Sequence, residues 1–460
     1  MDLSNVRSLS FLGIVLLAGC AARRYQAAPI IPTETASMLQ SRSLSNASLQ
    51  AFLQKNLAQP ESTAPPNTWD VGMLWLAAQY FNPGLESARS RVEEAKAAIM
   101  TAGERPNPNL GIAPGIPSPY LLTLDFAVPI ETAGKRGYRI ESARSLDQAA
   151  NFDLADTVWK LRSGVRAALL DYLLASRNLE LLLSEEKIRE DQVNLLEQRF
   201  AVGEIPRPDL DLARIEFLKV HIAISTAEGQ VGQTRAALAA AIGIPVAALQ
   251  GAEFSWSNLD SPSSAESLLP QQIQRDAVVN RLDVRRALKQ YAAAESDLQL
   301  EIAKQYPDIA IGPGYTYEEK NNFFTLGIST TLPIFNRNQG PIAEAEARRK
   351  ETAAAFLDKQ LQVISGSEQA LALYVAALKE FAEADTSLRT LQEQQERMTR
   401  RAVDVGEQDR LSLNGVQIES AVLARARLDA LSRAQRALGQ LEDSVQRPLE
   451  TGTPAKEPQQ

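Results

Sequence analysis

The feature that most restricts how this chain can fold is a pair of long segments without proline, one from Gly134 to Phe200 and the other from just after Pro341 to Val405. A continuous helix over the first segment would be about 100 Å long. Apolar residues recur in a heptad register at Val158, Leu161, Val165, Ala168, Tyr172, Ala175, Leu179, Leu182, Val193, Leu196 and Phe200, and again at Leu357, Leu361, Ile364, Leu371, Val375, Leu378 and Ala382. Helices this long with such a stripe need a partner helix, so the sequence predicts long helical hairpins.

The two segments belong to halves of the chain that match each other at a spacing of about 200 residues. Three short stretches keep the same order in both halves: 108–112 matches 307–311, 128–130 matches 332–334, and 202–204 matches 405–407. Chance could produce one such pair, but three in register indicate an internal duplication.

Each half is predicted to hold a short helix, two strands, a very long helix, a tight turn and a return helix. The short helices cover 83–104 and 281–305, and prolines follow both of them. The first return helix covers about 208–242, and Gly243 and Pro245 end it. In the second half the return helix ends before Pro448.

These boundaries predict two repeats, at 68–250 and 271–447, joined by a connector at 251–270 that is rich in Ser and Pro. The segment 20–67 and the tail 448–460 are predicted to be poorly ordered or extended.

The predicted strands alternate between an apolar face and a face of small or polar residues. The pattern is clear over 122–128, 309–317 and 324–332, and less regular over 110–116. Such strands suit a lipid-facing barrel with a wet lumen, although a half-buried soluble sheet alternates in the same way. Four strands cannot close a barrel, and lipid does not tolerate open edges, so we expect the barrel to be shared between chains. Three chains would supply twelve strands.

The N-terminus has the layout of a secretory signal over residues 1–19. Arg7 precedes an apolar run that is too short to span a bilayer as a helix, and small residues follow it. Leu17-Ala18-Gly19-Cys20 resembles the bacterial lipobox, which implies that Cys20 is lipidated and begins the mature protein. The residues after it, Ala21 and Ala22, imply sorting to the outer membrane. The alternative is an ordinary signal with a chance cysteine.

Composition argues against several other classes of protein. The chain has 48 Lys and Arg against 56 Asp and Glu, a net charge of −8, so we expect no nucleic-acid partner. One cysteine and one histidine, His221, rule out an internal disulfide and a His-rich metal site. The sequence holds no GxGxxG or P-loop motif. We therefore expect neither an enzyme nor a protein that holds a cofactor or a resident metal.

Together the duplicated helix–strand–strand–helix plan and the sequences Arg199-Phe200-Ala201-Val202-Gly203-Glu204 and Pro208-Asp209-Leu210-Asp211-Leu212 resemble the TolC family of outer-membrane efflux proteins. The resemblance covers about residues 70 to 447. It implies a mainly α fold with a small membrane β-barrel, in which a homotrimer shares twelve strands in the outer membrane of a Gram-negative bacterium. The long hairpins would form an α-barrel in the periplasm.

The resemblance also implies partners: a periplasmic adaptor (a membrane fusion protein) and an inner-membrane pump of the RND type. The hairpin tips at Val202, Gly203, Val405 and Gly406 would dock the adaptor. In the family, acidic residues past the second tip help close the periplasmic mouth, but those places hold Ser412 and Gly415 here. A gate is instead expected from Asp209, Asp211, Asp404 and Asp409, with solvated charges at a hairpin tip as the alternative.

Two stretches, 128–136 and 332–340, are closer to the heavy-metal branch of the family, the cobalt–zinc–cadmium type exit ducts, than to drug exporters. Metal ions are therefore the favoured cargo, and drugs remain open. A type I protein-secretion duct has the same fold with different cargo, and only the partner proteins would distinguish it. A periplasmic coiled-coil adaptor is disfavoured by the four membrane-length strands.

Overall fold

The computed structural model describes residues 24–57, 68–115, 121–265 and 268–449. The predicted signal peptide, Cys20 and Ile116 lie outside the described residues. The chain divides into two compact units, Met1–Arg42 and Ser43–Gln460. The described part of the first unit holds one helix, α1 (Pro32–Gln40).

The second unit begins with a small N-terminal assembly that the sequence did not predict. Helix α2 (Ala47–Asn56) starts at Asn46, whose side-chain oxygen accepts hydrogen bonds from the N–H groups of Ser48 and Leu49. Strand β1 (Thr68–Trp69) and helix α3 (Val71–Phe81) follow. Apolar side chains of α2 and α3 are buried in one core cluster, which includes Leu49, Leu53, Trp69, Leu74 and Phe81. The prediction of a poorly ordered or extended arm is therefore wrong over Ala47–Asn56, because this segment has its own cap and buries its apolar face.

The first repeat has the predicted order of elements. It consists of helix α4 (Pro83–Gly103), strands β2 (Asn109–Pro114) and β3 (Leu121–Ile130), the 67-residue helix α5 (Lys135–Ala201) and the return helix α6 (Arg207–Ile242). Gly243, at φ 86°, ends α6. Proline and glycine residues close to the helix ends set the helix boundaries. Because this effect is local in the sequence, the boundaries could be predicted.

The segment between the repeats contains a 3₁₀ turn (Val246–Leu249), strand β4 (Glu253–Phe254) and helix α7 (Pro270–Asn280). Strand β4 pairs in parallel with β1, so the connector is tied to the N-terminal assembly.

The second repeat follows the same plan with one irregularity. Its elements are helix α8 (Leu282–Ala303), strands β5 (Ile309–Glu318) and β6 (Asn321–Thr330), helix α9 (Gln339–Ala382), helix α10 (Arg389–Asp404) and the return helix α11 (Arg410–Val445). A π-helical turn, Glu383–Leu388, separates α9 from α10 within the segment that was predicted as one continuous helix.

The two repeats together form one continuous layer in each of three regions: the strands, the helices next to the sheet, and the long helical hairpins. The strands are all antiparallel, in the order β2–β3–β5–β6. Next to the sheet the helices pack in the order α4–α5–α8–α9. Along the hairpins the order is α6–α5–α11, and α9 and α10 also pack against α11. Within the described ranges, none of the helices combines the length and apolar composition that a membrane-spanning helix needs.

The heptad stripes of the two halves differ in how far they are buried. In the first repeat Val165, Leu182 and Leu196 are buried. In the second, Leu371 is buried, but Leu357 and Leu361 are each 64% exposed. A partner helix for the start of α9 is therefore lacking on that face among the described residues.

Candidate functional site at the hairpin tips

The first hairpin turns through a hydrogen-bonded glycine cap. Gly203 has φ 81°, its N–H donates to the carbonyl of Phe200 at 3.0 Å, and the N–H of Glu204 donates to the carbonyl of Arg199 at 2.9 Å. This pair of bonds is the Schellman arrangement, which satisfies two carbonyls at the helix end and requires a left-handed residue.

The second hairpin repeats this geometry. Gly406 has φ 77°, its N–H donates to Val403 at 3.1 Å, and the N–H of Glu407 donates to Ala402 at 2.8 Å. A Cβ on either glycine would meet nothing within 4 Å. Backbone conformation, and not lack of space within the chain, therefore selects glycine at both tips.

The residues next to the glycines are apolar and stand in solvent. Val202 is 71% exposed and Val405 is 70% exposed. The four residues predicted to dock a partner thus form two small protruding surfaces with little of their area used inside the chain.

The tips are fastened to each other. The guanidinium of Arg199, in the last turn of α5, forms an ion pair with the carboxylate of Asp409, which precedes α11. Apolar side chains close the same joint: Leu196, Leu210 and Ala213 are buried, with Val193, Ile205 and Leu411 packed on them. The first tip is therefore held to the start of the second return helix.

The four acidic residues predicted as a gate have different surroundings. Asp409 pairs with Arg199, and Asp211 lies 3.4 Å from Arg207 and 3.9 Å from Arg214. Asp209 is in the first turn of α6 and Asp404 is the last residue of α10. The structure does not bring the four together, and the described residues hold no group of three or more His, Cys, Asp or Glu placed to bind a metal ion.

Farther from the tips, a buried charge links the same helices. Glu185 of α5 is fully buried, accepts a hydrogen bond from Arg189 at 2.8 Å and has Arg425 of α11 2.8 Å from its other oxygen. Asn414 donates from its amide to the carbonyl of Ile188 at 2.8 Å. Sequence reasoning missed these residues and the role of Arg199, because the partners lie more than 200 residues apart in the chain.

At the other end of the long helices, a polar junction lies directly below the sheet. Lys135 donates to Asp308 and to the carbonyl of Tyr306, both at 2.6 Å, and the N–H of Thr132 donates to Asp308 at 3.0 Å. Burial alone would raise the pKa of Asp308, but the hydrogen bonds from Lys135 and Thr132 outweigh burial and hold the pKa below its ordinary value. The junction ties the end of the first strand pair to the start of the second.

The sheet has two distinct faces, as predicted. Residues opposite each other in antiparallel pairs point to the same side. One face therefore collects the apolar residues Leu110, Ile112, Leu124, Phe126, Val128, Ile311, Tyr315, Phe324, Leu326 and Ile328. The other collects Gly111, Thr123, Asp125, Gly314, Thr316 and Thr325, with Phe323 as a large apolar residue opposite Thr316.

His221, the only histidine, does not form a catalytic arrangement in the described structure. Its Nδ1 lies 2.8 Å from a carboxylate oxygen of Glu186, and its side chain is 64% exposed on the helix surface. The pair is a surface contact between α5 and α6.

Comparison with known proteins agrees with this geometry. Residues 77–244 match the family described as outer membrane efflux protein. The chain is 27% identical over 314 residues to the cobalt-zinc-cadmium resistance protein CzcC of Cupriavidus metallidurans, covering 66% of this chain and 72% of that protein. It is 24% identical over 318 residues to the pyoverdine export outer membrane protein OpmQ of Pseudomonas aeruginosa, covering 62% of this chain and 66% of OpmQ.

Solved structures share the fold. The outer membrane protein VceC of Vibrio cholerae superposes with a TM-score of 0.66 at 20% identity, over 83% of this chain and 97% of VceC. CusC, described as forming a transmembrane channel, gives a TM-score of 0.66 at 18% identity, over 92% and 99% of the two chains.

The fold is thus the one seen in the outer-membrane protein VceC and in CusC. The match to the outer membrane efflux protein family is confined to residues 77–244, and the chain is a homologue of CzcC and OpmQ. Of these proteins, CzcC is named for metal resistance, OpmQ for export and CusC for forming a transmembrane channel.

Proposed function

We propose that this chain is one third of a trimeric exit duct in the outer membrane, through which substrate leaves the cell. An inner-membrane pump and a periplasmic adaptor deliver the substrate, and the duct itself is passive, without catalytic residues or cofactor. The observation that carries the proposal is that, among the described residues, the layer of strands and helices has two open edges at every level. The first repeat supplies one edge, through β2, α4 and α6; the second supplies the other, through β6, α9 and α10.

Both edges display apolar side chains that a monomer would leave in solvent. On α6 the exposed residues are Leu212, Ile215, Leu218 and Ile222, at 50–67%; on the opposite edge they are Leu357, Leu361, Leu388, Leu391 and Met398, at 47–64%. Every residue of β2 and β6 is exposed. Apolar surface and unpaired strand edges of this extent mark an interface.

The edges differ from each other, so they favour a head-to-tail ring. When unlike surfaces of identical chains contact each other, the chains form a closed ring only if the rotation from one copy to the next adds up to a full turn. Three copies would join twelve strands into a barrel with the apolar face toward lipid and the small, polar face toward the lumen.

The relatives support a duct for small substrates. One is named for cobalt, zinc and cadmium resistance and the other for pyoverdine export. We favour metal ions as the cargo, because the higher identity is to the metal-resistance protein and the strand–helix junctions resemble that branch. Drugs and a type I secretion substrate remain the alternatives.

The tips would dock the adaptor and gate the periplasmic mouth. Val202, Gly203, Val405 and Gly406 offer the protruding surface, and the Arg199–Asp409 pair would hold the tips together until docking separates them. Asp211 would contribute through Arg207 and Arg214, while Asp209 and Asp404 add negative charge nearby. Lipid on Cys20 would anchor the chain to the outer membrane.

A double substitution at the tips tests the docking role in export. Gly203→Trp with Gly406→Trp is expected to leave trimers in the outer membrane, because the tips lie at the opposite end of the long helices from the sheet, yet to abolish cobalt, zinc or cadmium resistance and weaken cross-linking to the adaptor. The matched control is the double Asn variant, since Asn tolerates positive φ; it should retain export. Normal export by the Trp pair would contradict docking at the tips.

A further inference from the structure

We propose that the loop Leu332–Phe335, here called the apolar loop, is a membrane-interface anchor that inserts between the acyl chains and headgroups of the inner leaflet. The inference rests on the proposed function, in which the apolar face of the sheet meets lipid. It adds a specific lipid-contacting element to one of the two repeats.

The apolar loop contributes almost nothing to the packing of its own chain. Phe335 is 97% exposed, Leu332 is 69% exposed and Ile334 is 67% exposed. Three large apolar side chains within four residues are unfavourable in water, because each would gain free energy from burial in an apolar environment. Such a cluster indicates a partner outside the chain.

Hydrogen bonds lie within the loop and directly after it. The N–H of Ile334 donates to the carbonyl of Leu332 at 2.9 Å, and the N–H of Asn338 donates to the side chain of Asn336 at 2.8 Å. The Asn338 amide in turn donates to the backbone and side chain of Glu301, at 2.7 and 2.8 Å. The exposed side chains are therefore presented by a fastened turn, which lowers the entropy lost on binding.

The position of the loop relative to the sheet places it at the edge of the hydrocarbon. Charged groups are excluded from the bilayer core, so its boundary must lie above the Lys135–Asp308 pair. The last paired residues of the sheet are Ile309 and Thr330, and the Thr330 hydroxyl donates to the carbonyl of Asp308 at 3.0 Å. Leu332 begins two residues later, about 7 Å along the chain, which is within the interfacial region.

Comparison of the two repeats shows that the aromatic residue takes the place of an ion pair. Ile130 and Ile334 match in the duplication, so Phe335 corresponds to Glu131 and Ala343 to Arg139. Glu131 and Arg139 are bonded to each other through two guanidinium contacts. Gly134 and Asn338 also match, and both have positive φ, at 74° and 64°. The second repeat thus has an exposed phenyl ring where the first repeat has a satisfied charge pair.

Lipid fits the apolar loop better than a second copy of the chain. A neighbouring copy would join β6 through its backbone edge, whereas side chains stand perpendicular to the sheet. Phe324, Leu326 and Ile328 lie on the apolar face, and Leu332 follows two residues after Thr330, the last paired residue of β6. Bulky apolar and aromatic side chains at the ends of such a face match the chemistry of the membrane–water interface.

Tryptophan fluorescence in vesicles tests the anchor. Phe335→Trp in the full chain would be reconstituted into phosphatidylcholine–phosphatidylglycerol vesicles that carry bromine at a shallow or a deep acyl position, and emission compared with the unsubstituted chain. We expect the added signal to be quenched most by the shallow bromine. Val202→Trp, at a 71% exposed site in the first hairpin tip, should remain unquenched.

A second variant separates failure of the anchor from failure of the proposed function. Ile328→Trp, at a 70% exposed site on the apolar face of β6, should be quenched most by the deep bromine. If the Ile328→Trp signal is quenched and the Phe335→Trp signal is not, the sheet is in lipid and the anchor is wrong. A blue-shifted but unquenched signal from Phe335→Trp would mean that a second copy covers this position and would also overturn the anchor. If neither variant is quenched, the proposed lipid-facing sheet fails.

Discussion

At the scale of single residues, the two tip glycines adopt the same left-handed conformation for the same reason, which is a pair of hydrogen bonds that closes each helix end. Replacing Gly203 by Ala is expected to lower the free energy of unfolding by about 1 kcal/mol, because a Cβ disfavours positive φ. Gly229→Ala, in the middle of α6 with open space around it, should raise it by about 0.5 kcal/mol. Thermal unfolding of both variants in detergent measures the difference. Equal effects would contradict the capping role.

Cys20 provides a second test at a single residue. Since it is the only cysteine of the chain, radioactive palmitate should label the protein and Cys20→Ala should abolish the label and slow maturation. Barrel insertion is expected to continue. Label that persists in the alanine variant would remove the lipid anchor from the proposal.

Acid should loosen the start of the second repeat through Asp283. Burial would raise the pKa of this carboxyl, but the bidentate pair with Arg281 and the nearby Lys359 outweigh burial and lower it. A lowered pKa means that the stabilisation is complete above the ordinary value near about 3.9 and is lost as pH falls through the folded value below it. Asp283→Asn should flatten the dependence of unfolding on pH in that range. Glu86→Gln, at an exposed surface pair, should leave it unchanged.

At the scale of elements, the two hairpins are joined by buried and half-buried polar links between α5 and α11. Glu185→Ala should cost about 3 kcal/mol of stability, because it leaves Arg189 and Arg425 facing each other without the buried carboxylate. Glu186→Ala is the control next to it: its side chain contacts the exposed His221, so it should cost less than about 1 kcal/mol. Denaturant unfolding of the two variants is the measurement. Comparable losses would show that the buried link is unimportant.

The elements also show what a single sequence can predict. Helix limits followed from prolines and glycines, and strand faces from alternation, because both are decided within a few residues. The helix at Ala47–Asn56 was missed because its stability comes from burial of Leu49 and Leu53 against distant segments. The π-turn at Glu383–Leu388 contains no proline or glycine from which it could be predicted. Neither the pairing of Arg199 with Asp409 nor the burial of Glu185 could be predicted, since both depend on the register of helices far apart in sequence.

The stripe on α9 shows the converse: the pattern is visible in the sequence, but the single chain does not bury it. The heptad pattern at Leu357 and Leu361 was recognised from the sequence, yet both residues are exposed in the single chain. In the proposed assembly the pattern is satisfied by a neighbouring copy, and the chain holds only half of that contact.

At the scale of the whole molecule, duplication explains why strands, upper helices and hairpins all end in two unlike edges. Each repeat contributes one edge, and the repeats are joined in the middle through α5 and its contacts with α8 and α11. In the proposed assembly these edges meet other copies of the chain, with β6 of one copy beside β2 of the next.

The central claim is that three chains close into one ring, and native mass spectrometry of the detergent-extracted protein tests it most directly. We predict a species of three times the mass of the mature chain, which dissociates only under conditions that also remove strand content by circular dichroism. A stable monomer that retains its strands would contradict the shared ring and with it the proposed exit duct.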